Sequence, residues 1–163
     1  MGWWAAKIRQ TWRHLTGRVS AAERAELRTW LTAPQLRLFD AMHPADRRHG
    51  LDVVATLRAA GEGEPDLLLA GLFHDAAKGP SVRLWHRVAW SLGERYGTRV
   101  LRTAGWLPGA RDAFERIGQH PERSAELALA VGCSPRTAEL IRHQSEPRDQ
   151  TLGRALLVAD QAN

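Results

Sequence analysis

Cysteine is almost missing from this chain: Cys133 is the single thiol in 163 residues, which excludes an internal disulfide and any cysteine-rich zinc motif. Lysine is nearly as scarce, with only Lys7 and Lys78 among 23 Lys and Arg residues. No apolar run approaches the ~18 residues that span a bilayer, and the N-terminus lacks the apolar core and cleavage site of a secretory leader. These absences predict a cytoplasmic protein without a transmembrane segment. Internal repeats, low-complexity tracts and an interdomain linker are lacking as well. What remains for metal chemistry is histidine and aspartate, so oxygen and nitrogen ligands set the options.

The hydrophobic share of 44% is enough to build the core of one ordinary domain. The net charge of +5 favours anionic partners through long-range attraction. Because nearly all of the basic residues are arginine in an Ala- and Arg-rich chain, that charge reads as compositional bias rather than as a dedicated nucleic-acid surface.

Periodicity is helical nearly everywhere and no alternating run reads as a strand, which predicts an all-α fold. A first amphipathic helix is expected over residues 3–16, with Trp4, Ile8, Trp12 and Leu15 on one side. Its Trp3, Trp4 and Trp12 beside Lys7, Arg9 and Arg13 suit either packing on the core, a dimer contact or a membrane interface, and packing is the preferred reading. Ser20-Ala21-Ala22-Glu23 has capping-box spacing and starts a second helix. Pro34, Pro44 and Pro65 each suit a first helical turn. Ser81–Tyr96 is expected to form another helix closed by Gly97, and a short helix over Arg111–Ile117 is expected to break before Pro121, leaving His120 as an N-cap. Ser134 caps the next helix, which ends near His143. Residues 1–39 thus form an N-terminal helical extension packed on a core domain of residues 40–163.

The apolar segment Leu67–Phe73 is continuous enough to be a helix buried on most sides, and it runs straight into His74 and Asp75. Burying an imidazole and a carboxylate side by side is costly unless a partner compensates them, and a metal ion would. His49 lies 25 residues upstream of His74 on an i, i+4, i+8 stripe with Val53 and Leu57. Downstream, His120, His143 and Asp160 follow at intervals of 46, 23 and 17 residues, Asp160 sharing a helical face with Leu152 and Leu156. His14, His43 and His86 fit no such slot and read as surface or supporting residues.

The ordered set Arg48-His49, His74-Asp75 and Ala159-Asp160 resembles the signature of the HD-domain metal-dependent phosphohydrolases, over roughly residues 40–163. The resemblance implies an HD-like helical bundle with His49, His74, Asp75 and Asp160 as ligands of one metal. His120 and His143 match the extra histidines of HD proteins that hold two ions. The stretch from His120 to Ala128 is similar to the corresponding helix of HD proteins acting on cyclic or linear dinucleotides. Ile141-Arg142-His143 through Asp160 is similar in spacing to bacterial HD hydrolases of diadenosine tetraphosphate. Gln144 stands where HD-GYP enzymes carry a second histidine and no Gly-Tyr-Pro motif occurs, so that subgroup does not fit.

The resemblance implies hydrolysis of a nucleotide, dinucleotide or cyclic dinucleotide phosphoester. In that reading two divalent ions, manganese or iron before nickel, cobalt or zinc, are bridged by Asp75 and activate a water. Lys78, four residues beyond His74, is then the residue to neutralise phosphoryl charge. Arg48 and Arg142, each beside a ligand, are further candidates for phosphate contact. The alternatives are a di-iron oxygenase, which uses the same ligand types, and a catalytically silent HD module that binds a nucleotide. A homodimer is compatible with all three.

Overall fold

A computed structural model describes residues 18–79, 92 and 110–163. The expected Trp-rich helix over residues 3–16 and nearly all of the expected 81–96 helix, with His14 and His86, lie outside these residues. Among the described residues there are helices and no strands, so the fold is all-α as the periodicity predicts. The helices are α1 (Ala21–Trp30), α2 (Ala33–Ala41), α3 (Pro44–Ala59), α4 (Pro65–Phe73), α5 (Ala110–Ala130), α6 (Pro135–Arg142) and α7 (Leu152–Ala162). None is long and apolar enough to cross a membrane.

Local chemistry sets most of the helix starts. Ser20 accepts from the Glu23 amide while the Glu23 carboxylate accepts from the Ser20 amide at 2.8 Å, which satisfies two amides that a helix N-terminus leaves open. Thr32 and Gln35 repeat the device at α2. Prolines occupy the first turns of α2, α3, α4 and α6, where a missing amide proton costs nothing. His43 is a half-buried cap, its Nδ1 accepting from the Ala45 amide at 3.2 Å.

α4 is the central element. Leu67, Leu68, Ala70, Leu72 and Phe73 are buried, and the helix packs on α3, α5, α6 and α7. Burying a Leu or Phe side chain contributes about 1.5–3 kcal/mol each, which is why so short and apolar a helix sits inside rather than at the surface. Leu27, Leu31 and Phe39 belong to the same core cluster as Leu67 and Phe73, and α2 runs through residue 39, where the extension was expected to give way to the core domain. The crossing of α3 and α4 is made close by glycine: a Cβ on Gly50 would lie 2.5 Å from the Leu72 carbonyl oxygen, and one on Gly71 would lie 3.0 Å from Leu57 Cδ1.

Two expected boundaries move. α5 does not break at His120; it continues to Ala130 with Pro121 inside it. Pro121 has no amide proton to give the Ile117 carbonyl four residues back, and that orphan is normally what stops a helix. Here the Nδ1–H of His120 donates to the Ile117 carbonyl instead, so the ladder is patched from a side chain. The second shift is at α4, which was expected to bear His74, Asp75 and Lys78, with His74 and Lys78 on one face, and instead ends at Phe73. Past Phe73 the chain tightens through i to i+3 bonds, from the Ala76 amide to the Phe73 carbonyl and from the Lys78 amide to the Asp75 carbonyl, before Gly79 turns it out at φ +71.

Candidate metal centre

Three helices deliver one cluster. α3 brings His49, whose Nε2 lies 2.8 Å from Asp160 Oδ1 on α7, and the C-cap of α4 brings His74, whose Nε2 lies 3.4 Å from the same oxygen. Candidate ligand atoms of His49, His74 and Asp160 all fall within 4.8 Å of one another. The rings of His49 and His74 meet edge to face at 5.1 Å between centroids. Asp160 is 36% exposed at its side chain whereas His74 is 2% exposed, so the cluster is sealed on the α4 side and reaches solvent along α7.

Asp75 extends the cluster toward α5. Its Oδ1 lies 3.6 Å from His74 Nε2 and 3.3 Å from His120 Nε2, while its Oδ2 takes an ion pair from Lys78 Nζ at 2.5 Å. One carboxylate therefore stands between two imidazoles and an ammonium. The two imidazoles are held alike: His74 Nδ1 donates to the Gly71 carbonyl at 2.9 Å, and His120 Nδ1 donates to the Ile117 carbonyl. A carbonyl can only accept, so both neutral rings carry their proton on Nδ1 and keep their lone pair on Nε2, the atom nearer Asp75. Metal-binding histidines are commonly fixed through this backbone bond.

Lone pairs facing carboxylates repel unless something positive lies between them. His74 Nε2 and Asp75 Oδ1 are both buried and make no hydrogen bond, the His74 to Asp160 approach being off the required direction. Burial alone pushes the His74 imidazolium down; the negative charge of Asp75 and Asp160 outweighs it and raises the group from 6.5 to about 9. Burial likewise raises Asp75, but Lys78 and His74 hold it well below the ordinary carboxylate range, and His49 and His74 do the same for Asp160. The cluster is thus built for ionised aspartates around a positive centre. A proton on His74 serves in the protein alone, and His49, His74 and Asp160 stand close enough to hold a divalent cation instead, with Asp75 Oδ1 3.6 Å from His74 Nε2.

Not every expected residue joins. His143 Nε2 sits 3.1 Å from Glu139 Oε1, at ion-pair range but misaligned for a hydrogen bond, and belongs to no ligand cluster among the described residues. Arg48 is tied to Glu23 at 2.6 Å and Asp52 at 2.9 Å; Arg142 is tied to Glu122 at 2.8 Å and Glu139 at 3.2 Å. Lys78 reaches the site through the turn, by way of Asp75.

Two residues outside the expected ligand set take part. The buried amide of Gln144 places Nε2 3.2 Å from His120 Nε2 and 3.4 Å from the His74 carbonyl. The buried Ser124 hydroxyl, one turn beyond His120, accepts from the Ala77 amide at 3.0 Å and pins the turn carrying Asp75 to α5. Gln144 was visible as a departure from a histidine pair, whereas Ser124 left no signal, since a serine in a helix looks like any solvated residue. The chain matches no protein-family profile, no curated protein and no solved structure.

Proposed function

We propose that this chain is a metal-dependent phosphohydrolase of the HD type, acting on a nucleotide, dinucleotide or cyclic dinucleotide phosphoester. The observation that carries the reading is the pair of buried, hydrogen-bond-free atoms, His74 Nε2 and Asp75 Oδ1, facing each other within a cluster completed by His49 and Asp160. Unpartnered buried polar atoms are rare and costly, and a cation satisfies both at once. His49, His74, Asp75 and Asp160 would hold it. Bound there, a divalent ion supplies a Lewis acid that makes water a nucleophile near neutral pH and draws charge from a phosphoryl group. Manganese, iron, cobalt, nickel and zinc all suit imidazole and carboxylate together.

The chain's own groups supply the rest. The solvent edge at Asp160 gives a phosphoester a way in. Lys78, 21% exposed at its side chain and salt-bridged to Asp75, places its ammonium beside the cluster, where it can donate to a phosphoryl oxygen while still neutralising the carboxylate. Arg48 and Arg142, each held by two carboxylates, have no part in this account.

The test is turnover with metal demonstrably bound. Protein charged with manganese or iron is expected to hydrolyse at least one member of a nucleotide and dinucleotide panel. Asp75→Asn should lose the metal and the activity with helicity unchanged. Lys78→Ala should keep the metal and lose mainly kcat. A metal-loaded protein inert across the panel would refute the hydrolase reading.

A further inference from the structure

The sequence pattern suggests two ions, yet the residues that would hold the second do not assemble. His120 is near Asp75, but His143 lies against Glu139, and the next residue, Gln144, takes the position beside His120. The tautomer makes this contact informative. With its Nδ1 proton given to the Ile117 carbonyl, neutral His120 has one lone pair left, on Nε2, and the Gln144 Nε2 amide donates to it at 3.2 Å. The carboxamide is oriented from behind, since the same nitrogen also donates to the His74 carbonyl at 3.4 Å. Gln144 is 6% exposed, so water does not compete for these bonds.

We propose that Gln144 is a positioning residue that sets the metal count at one: it occupies the lone pair with which His120 would bind a second ion and ties that ring to the backbone of the first site. The inference rests on the metal-centre reading above. The carboxamide is a donor toward His120, so it cannot share that lone pair with a cation. His120 then serves as an arm beside Asp75 rather than as a ligand. Of the positions expected to build the second subsite, only Asp75 and His120 face each other, and one carboxylate oxygen with a committed imidazole does not make a tight site for a first-row ion.

Metal-free full-length protein is titrated with manganese(II) by calorimetry, with mass-spectrometric metal analysis of the dialysed product and electron paramagnetic resonance of samples given two equivalents. Wild type is expected to retain one ion, with a second at least about tenfold weaker, and to show the spectrum of isolated manganese. In Gln144→Ala the freed His120 should strengthen the second equivalent by about ten- to a hundredfold, the usual range for groups that orient metal ligands. Gln144→His should strengthen it further and give the broad lines of two coupled ions. Circular dichroism checks that both variants remain helical. Equal affinity for two ions in wild type overturns the inference while sparing the metal centre, as does a single ion in both folded variants. Retention of no metal by wild type overturns both.

Discussion

A methyl group added at Gly50 would lie 2.5 Å from the Leu72 carbonyl oxygen, 3.2 Å from its carbon and 3.3 Å from its Cα. All three atoms are backbone, so no side chain can rotate away. Real Cβ contacts begin near 3.0 Å and are comfortable only beyond 3.4 Å, so in Gly50→Ala α3 and α4 must part by roughly half to one ångström. Overpacking of this kind costs about 1–3 kcal/mol, and the better helix propensity of alanine returns about 0.5–1. The net expectation is a destabilisation on the order of 1–2 kcal/mol in urea unfolding of the metal-free protein. The larger effect falls on the site. Gly50 is the residue after His49, and Leu72 is two before His74, so the forced separation lies between two proposed ligands. Metal sites tolerate about 0.2 Å of ligand displacement. Manganese affinity should therefore fall at least about tenfold, as it does when the groups orienting metal ligands are lost. Gly63→Ala is the control, because a Cβ there meets nothing within 4 Å. A Gly50→Ala protein of wild-type stability and wild-type manganese affinity would refute the claim that this crossing sets the spacing of His49 and His74.

Stability of the metal-free protein should depend on pH through His74. Its folded value of about 9 lies above the ordinary 6.5, so the stabilisation is complete below pH 6.5 and lost as pH rises through 9. Asp75 and Asp160 have lowered values, so their contribution is present above the ordinary carboxylate range and lost in acid. Denaturant midpoints should then be highest in mildly acidic solution, and manganese affinity should climb from pH 6.5 to 9 as His74 gives up its proton; a metal affinity flat across that window contradicts the cluster. Ser124→Ala strips the half-buried Ala77 amide of its acceptor, and loss of one such hydrogen bond costs about 0.5–1.5 kcal/mol, measurable as a lower urea midpoint. Arg142→Ala removes only partly exposed ion pairs, so stability should change by less than about 1 kcal/mol with metal content intact. A rise in KM for a phosphoester in that variant would return Arg142 to the site.

How far the sequence carried the structure depended on whether a signal was local. The capping box at Ser20 and prolines at first turns act within four residues, and the helices start where they point. The stripe of His49 with Val53 and Leu57 is equally local, and it placed the imidazole inward. The meeting of His49, His74 and Asp160 is a long-range event that periodicity can only permit; it took the order of the residues to suggest it, and the mutual packing of α3, α4 and α7 brings it about. Failures came where a side chain overrode a backbone rule. Pro121 reads as a break because the chain gives no hint that the neighbouring imidazole serves the stranded carbonyl. Lys78 reads as i+4 to His74, but the turn past Phe73 makes it the i+3 partner of Asp75. His143 has ligand spacing, and spacing alone gives no hint that Glu139, one turn earlier, lies 3.1 Å from its Nε2.

The proline within α5 also has a dynamic meaning. An imidazole whose Nδ1 proton bridges to the Ile117 carbonyl cannot flip without leaving that carbonyl unserved. Ring motion and loss of the bond that replaces the missing ladder rung are therefore the same event, with one rate. In nitrogen-detected magnetic resonance His120 should appear as a single tautomer in slow exchange. Amides following Pro121 should exchange with solvent more readily in His120→Ala than in wild type. Restoring an ordinary amide with Pro121→Ala would strengthen the helix and, by taking over the carbonyl, set the ring free to turn.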